Sequence, residues 1–158
     1  MTFLPPRPIR ADDDASRFDC GNQDLNRWLV HTAWRAEVAR TARTYVCLDE
    51  SGSVVGYYCL SSMHVDREDV GGGRLARNAP VRIPVVLLGR LAVDARCQGR
   101  QLGTSLLQDA VLNAAKSSVV VGSRALVVEA VDEAAAGFYR HHGFRPFPGD
   151  ALKLYESL

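Results

Sequence analysis

Residues Arg96 to Gly103, R-C-Q-G-R-Q-L-G, combine types and spacing suited to chemistry. Gly99 and Gly103 relax the backbone of a polar loop, and Arg96 and Arg100 stand beside it. An apolar, β-branched run leads in (Val85, Val86, Leu87, Leu88, then Leu91 and Val93) and reads as a buried strand. Leu102, Leu106, Leu107, Ala110, Val111 and Ala114 lead out, spaced as the inner face of an amphipathic helix. A loop that opens a helix offers unpaired backbone N–H groups and the positive end of the helix dipole. With arginines beside it, such a loop can hold an anion, most simply a phosphate or pyrophosphate. The same pattern serves an ordinary tight connection, and these residues alone leave both readings open.

A second cluster is Asp132–Phe144, D-E-A-A-A-G-F-Y-R-H-H-G-F, which holds Tyr139, His141 and His142. Both histidines fall at the C-terminal end of a short helix, where a histidine more often neighbours a cap than serves as a base. Glu129 lies on the preceding strand, either ordering water or forming one member of a polar face. The four cysteines (Cys20, Cys47, Cys59, Cys97) form no C-x-x-C pair, so neither a zinc site nor a disulfide framework is indicated and no metal is expected. Buried thiols are the expectation for all but the loop residue Cys97.

The elements that must position these groups follow the chain in order. Residues 3–18 read as irregular, with prolines at 5, 6 and 8. Asn22 suits the N-cap of a helix whose apolar stripe (Leu25, Trp28, Leu29, Thr32, Ala33) runs to about Ala39. Thr44–Leu48 and Val54–Leu60 are β-rich runs joined by Asp49-Glu50-Ser51-Gly52-Ser53, the pattern of an antiparallel hairpin. From His64 to Pro84 the pattern dissolves into three glycines, scattered arginines and two prolines, so a long irregular segment is expected. Ala125–Val131 is another buried strand. Asp132 can cap the helix after it and Gly143 suits its C′ position. Phe144–Phe147 and Leu152–Tyr155 are candidate final strands. The order implies an α/β chain with a mixed, partly antiparallel sheet (α+β in character), in one domain spanning 1–158.

Composition bounds the function. The chain is 47% hydrophobic and 23% charged, ordinary globular values. No apolar run approaches the roughly 20 residues that span a bilayer. The N-terminus MTFLPPRPIR lacks the apolar core of a secretory signal, so a cytoplasmic chain without membrane association is expected. Net charge is +1 but uneven: residues 67–100 carry 7 Arg against 3 acids, whereas residues 1–66 carry 7 Arg against 9 acids. Of 19 basic residues 17 are arginine, which suits bidentate phosphate contacts, although a general preference for arginine over lysine would produce the same count.

The loop and the second cluster together resemble the GNAT acetyltransferases. Gln98–Gly103 is similar to their acyl-CoA-binding motif, Gln/Arg-x-x-Gly-x-Gly/Ala, with Gln101 where a glycine is usual. Ala135–Phe144 is similar to their A-x-x-F-Y-x-x-x-G-F segment. The resemblance implies the GNAT fold, a central mixed sheet flanked by helices, with acetyl-CoA as acetyl donor. It places the cofactor on Leu91, Ala92, Val93, Gln98, Gly99, Arg100, Gln101, Leu102, Gly103, Thr104 and Phe138. Tyr139 becomes the catalytic residue, a general acid for the departing thiolate. The backbone of Leu91 and Val93 pairs with the pantetheine arm and polarises the thioester carbonyl.

Further blocks narrow the resemblance: F-D-C-G-N-x-x-L-N-x-W-L from Phe18, A-R-T-Y-V from Ala42, Gly56-Tyr57-Tyr58, and P-V-V-L-L-G-R-L-A-V from Pro84. They resemble the GNAT branch formed by the toxins of bacterial toxin–antitoxin pairs, over about residues 9–155. That branch acetylates the α-amino group of aminoacyl-tRNA and so blocks translation. It implies a ribbon-helix-helix antitoxin as partner, operator DNA bound only through the antitoxin, and a homodimer. An α-amine of pKa about 8 needs little help from a base, whereas a lysine side chain near 10.4 would need deprotonation and no dedicated base is evident. Arg67, Arg74, Arg77 and Arg82 are expected to be exposed, and Arg74, Arg77, Arg82 and Arg90 are the candidate tRNA contacts. The alternatives are a GNAT enzyme acting on a small-molecule amine or protein N-terminus, and a module that binds CoA or a partner without turnover.

Overall fold

Asn22 opens the first helix, its side-chain oxygen accepting the backbone N–H groups of Asp24 and Leu25 at 3.0 and 3.2 Å. The computed structural model describes residues 2–158. The expected single helix is two: α1, Gln23–His31, and α2, Ala33–Ala39. Thr32 leaves helical geometry (φ −122°). Its N–H still reaches Trp28 O at 2.9 Å, and its carbonyl still accepts from Ala36 at 2.8 Å. The chain therefore bends at a β-branched residue, with these two bonds on either side of the bend.

The hairpin stands as expected. Strand β2, Arg43–Leu48, pairs antiparallel with β3, Val54–Asp66. A two-residue strand β1, Arg7–Pro8, precedes them and pairs with β2; the irregular reading of 3–18 had no place for it. Then come β4 (Arg82–Val93), α3 (Leu102–Val120), β5 (Ala125–Glu129), α4 (Glu133–His141), β6 (Arg145–Phe147) and β7 (Asp150–Ser157). The strands form one mixed sheet in the order β1-β2-β3-β4-β5-β7-β6. β4 and β5 are parallel, Val86↔Leu126 to Leu88↔Val128, as a connection through α3 requires. β5 ends at Glu129, two residues before the expected Val131, and β7 already begins at Asp150.

The chain divides into two units, and several elements run through both. The first extends to Ser61 and takes in Arg90–Ala110. Its core gathers Ile9, Phe18, Leu29, Val46, Val54, Tyr57 and Ala92. Tyr57 is fully buried between Trp28, stacked at 6.0 Å, and the edge of Phe18 at 5.6 Å. Its hydroxyl donates to Leu25 O at 2.8 Å, so burial leaves no polar group unsatisfied there. Gly56 sits under α3, where an added Cβ would lie 2.9 Å from a Leu106 methyl.

The second unit comprises Ser62–Gly89 and Val111–Leu158. It corrects the irregular reading of His64–Pro84. β3 continues to Asp66, Arg67–Val70 forms a 3₁₀ turn, and β4 begins at Arg82. Val65, Val70, Leu75, Ala79 and Ile83 are buried with Val85, Ala125, Val127 and Phe147. Those first five residues are spaced by five, five, four and four positions, with three glycines and a proline between them, so no single period announced them. The cysteine expectation is corrected too. Cys97 is fully buried, as are Cys47 and Cys59, and Cys20 is the half-buried thiol.

Candidate functional site

The polar loop between β4 and α3 is built around a buried carboxylate. Asp94 is 1% exposed. It accepts the Asp19 N–H at 3.1 Å and the Arg96 N–H at 2.9 Å, and a two-point fork from the Arg96 guanidinium at 2.9 and 3.0 Å. Ala95 N–H donates to Asp19 O at 2.9 Å, so the F-D-C-G-N segment is stitched to the loop. Burial works against the Asp94 carboxylate, but the hydrogen bonds from Arg96 and Asp19 outweigh it and hold the group below the usual carboxylate range. Arg96 is therefore a structural partner of Asp94, which corrects its reading as an arginine waiting beside the loop. Its neighbour Arg100 is exposed and forms no ion pair among the described residues.

Gln98, Gly99, Arg100 and Gln101 are exposed, Leu102 is buried, and Gly103 and Thr104 are half-buried. Gly99 has φ +80° and open space where a Cβ would stand. Gln101, in the place of the motif glycine, adopts φ +62°, a left-handed geometry that glycine reaches at little cost. A glutamine here thus holds a backbone conformation that a glycine would adopt more easily. The Gln101 carbonyl accepts the first bond of α3, from Ser105 at 3.1 Å. The following first-turn N–H groups of such a helix have no carbonyl within it, which suits an anion. The residues present thus fit a pyrophosphate at the loop.

Upstream, the ladder of β4 with β5 ends at Leu88, while β4 continues through Leu91, Ala92 and Val93. The Val93 carbonyl accepts the Gln98 side-chain amide at 3.2 Å. Gln98 thus braces the loop rather than reaching outward. Arg90 is half-buried with its guanidinium 4.3 Å from the Trp28 ring centre, a cation–π contact.

In the second unit α4 carries Tyr139. Asp132 caps the helix through Ala135 N–H at 2.9 Å, and Gly143 at φ +93° follows its last turn, both as expected. Tyr139 packs between Phe138 at 5.3 Å and Phe144 at 5.5 Å. Its hydroxyl makes no hydrogen bond among the described residues, and burial alone pushes the phenol up to about 12. Such a group is a proton donor throughout the physiological range. His142 packs on Phe138 and His141 in edge contacts, a packing role for the pair.

Arg67, Arg74, Arg77 and Arg82 are exposed, as expected. Two arginines hold this segment, Arg67, which was expected only to be exposed, and Arg124, which the sequence reading did not single out. Arg67 Nη1 donates to Ala79 O at 2.9 Å. A single nitrogen of Arg124 lies 3.2, 3.4 and 2.8 Å from the carbonyls of Arg74, Leu75 and Arg77. No local pattern marks Arg124. Asp94 had one signal, an acid two positions before an arginine at the end of an apolar strand. Among the described residues no His, Cys, Asp and Glu side chains gather into a metal site.

A domain family described as "Acetyltransferase (GNAT) domain" matches residues 40–146. The chain is 41% identical to a tRNA-acetylating toxin of Mycobacterium tuberculosis, over 96% of this chain and 90% of that protein. Among solved structures it is similar to AtaT complexed with acetyl-methionyl-tRNAfMet, with a TM-score of 0.91 and 31% identity, covering 99% of this chain and 95% of that one. It is also similar to a tyrosine-to-phenylalanine mutant of AtaT bound to acetyl-CoA and the C-terminus of the antitoxin AtaR. There the TM-score is 0.82 at 31% identity, covering 98% of this chain and 92% of that one.

Proposed function

The chain belongs to the GNAT acetyltransferase family, and from that premise we propose that it is a toxin that transfers an acetyl group from acetyl-CoA to the α-amino group of aminoacyl-tRNA. Residues 1–158 act as one GNAT domain. The product has no α-amine to offer the ribosome, so translation stops. A ribbon-helix-helix antitoxin neutralises the enzyme and carries its contact with operator DNA; the working form is a cytoplasmic homodimer.

The observation that carries this reading is the Tyr139 hydroxyl, half-buried, without a hydrogen bond among the described residues, and held protonated by its surroundings. Acetyl-CoA supplies the thioester. As the acceptor's amine forms the C–N bond, the C–S bond breaks and Tyr139 passes its proton to the departing sulfur. The proton shed by the amine restores the phenol. A phenol near 12 is a weak acid toward a thiolate in water, but the burial that raises it also disfavours a thiolate in the same surroundings, which narrows the gap.

The chain's other residues bind and orient. Gln98–Thr104 receive the pyrophosphate, with Arg100 as the available guanidinium and Gln101 supplying the left-handed turn. The Leu91 and Val93 N–H groups pair with the pantetheine arm, a reading supported by the last β4–β5 pair falling at Leu88, and Phe138 packs beside Tyr139. Arg74, Arg77, Arg82 and Arg90 meet tRNA phosphates.

The test is Tyr139→Phe, which removes one oxygen and leaves the ring packing. Acetyl-CoA-dependent inhibition of a cell-free translation reaction should fall by about 10²–10⁴-fold in rate, with acetyl-CoA affinity unchanged. Wild-type protein that leaves translation untouched while acetylating small amines would replace the tRNA substrate with a metabolite.

A further inference from the structure

We infer that a cavity in the second unit is a seat for one ribose-phosphate of an RNA strand, the phosphate on Arg74 and Arg145 and a ribose hydroxyl on Glu156. The inference rests on the function proposed above and names where part of that acceptor lies. The cavity measures about 310 Å³. Gly72, Gly73 and Arg74 form one wall, and Arg145, Glu156 and Ser157 face them.

Both walls are held in place. Arg124 grips the carbonyl of Arg74 itself at 3.2 Å and that of Arg77 at 2.8 Å, so the glycine-rich loop is tied just where it meets the cavity. The opposite wall is sheet: Glu156 pairs with Leu126 of β5, and Arg145 pairs with Tyr155 of β7. Gly73 has φ +116°, and a Cβ at Gly72 or Gly73 would meet nothing within 4 Å, so room remains on that side. Gly143 brings its backbone close beneath the carboxylate, where a Cβ would stand 3.6 Å from Glu156 Oε2.

The charges lining the cavity are unspent. Neither Arg74 nor Arg145 forms an ion pair among the described residues, and the Glu156 carboxylate accepts no hydrogen bond there. Burial pushes Glu156 up, with Arg145 pulling it back. Two guanidiniums and one carboxylate leave a single net positive charge. That balance matches a phosphodiester, which carries one negative charge, better than a terminal phosphate with nearly two. A carboxylate is an acceptor only, so beside the phosphate it calls for a hydroxyl donor. A ribose 2′-hydroxyl is such a donor; deoxyribose lacks it.

The experiment measures anisotropy of an uncharged tRNA transcript, and of RNA and DNA hairpins of one sequence, on the full chain. Arg145→Glu should weaken tRNA binding about tenfold or more and make its salt dependence shallower by about one unit of slope, with Arg145→Lys recovering part of the loss. Glu156→Ala should narrow the preference for RNA over DNA about fivefold. Acetyl-CoA affinity should stay unchanged in all three. Unchanged tRNA affinity in Arg145→Glu, or an unchanged RNA-to-DNA ratio in Glu156→Ala, overturns the seat. AMP binding that Arg145→Glu abolishes, with tRNA binding intact, assigns the cavity to a free nucleotide and likewise overturns it. If these binding effects appear but the wild-type protein fails to acetylate aminoacyl-tRNA, the seat stands and the proposed function falls.

Discussion

The loop at 94–101 and the segment at 67–81 are both glycine-bearing connections rich in arginine, yet they are ordered in opposite ways. In the first, a buried acid gathers its surroundings: Asp94 takes the Arg96 side chain and the backbone of Asp19. In the second, arginine side chains grip carbonyls: Arg67 holds Ala79, and Arg124 holds Arg74, Leu75 and Arg77. The consequence for function is direct. Arg96 is occupied as a fork on Asp94, whereas Arg74 and Arg77 keep their guanidiniums exposed while their backbones are held. An arginine's availability is set by whether an acid lies within reach, and nothing in its own residue type reveals that.

The largest expected effect tests the exposed half of the comparison. Arg74→Glu with Arg77→Glu should lower aminoacyl-tRNA acetylation about a hundredfold or more and leave acetyl-CoA binding intact, since both positions are exposed and their carbonyls remain for Arg124. Steady-state kinetics with both substrates varied reads this; equal loss toward a small amine would point to misfolding instead.

Next in size is Asp94→Ala, which orphans the Asp19 N–H and releases Arg96. Because the Arg96 side chain is 48% exposed, the loss should be about 2–3 kcal/mol rather than that of a fully buried pair, read from the urea midpoint. The folded carboxylate titrates below its usual range. It therefore contributes stability at neutral pH that is lost as pH falls through that depressed value, so the gap between mutant and wild type should close in acid. A midpoint unchanged at pH 7 would break the account of Asp94 as the anchor.

Arg124→Ala removes the grip on the other segment. One nitrogen has two hydrogens for three carbonyls, so about 1.5 kcal/mol of local stability is at stake and tryptic cleavage after Arg74 and Arg77 should quicken about tenfold. Cleavage at the wild-type rate would mean the segment orders itself. The smallest effect sharpens the first region. Gln101→Gly should stabilise by about 0.5 kcal/mol, the relief of the left-handed backbone less the added freedom of the unfolded chain, and leave acetyl-CoA affinity the same or higher. A loss of affinity would show that the Gln101 side chain, not its backbone, matters.

Much of the site was legible because the features concerned are local. The helix caps at Asn22 and Asp132 and the left-handed Gly143 follow from residue type at a given position, since each cap is satisfied within three residues. The buried face Leu102, Leu106, Leu107, Ala110 and Ala114 follows from the helical period. The bend at Thr32 was not legible, because it leaves the apolar stripe in place, with Leu25, Trp28, Leu29 and Ala33 all on one core.

By itself, then, the sequence determined the strand–loop–helix around Gln98–Gly103, the Phe138-Tyr139 segment on its short helix, and the exposure of Arg67, Arg74, Arg77 and Arg82. Each depends on periodicity, capping chemistry or the cost of burying charge, all of which act over a few residues. Only the tertiary structure decided that Cys97 is buried, that Arg96 belongs to Asp94, that 64–84 is ordered, and that Gly73, Arg74, Arg145 and Glu156 line one cavity. Those outcomes depend on partners far along the chain, Asp19 for Asp94 and Arg124 for Arg77. Contacts of that kind are selected by the packing of the whole sheet, and no window of neighbouring residues encodes them.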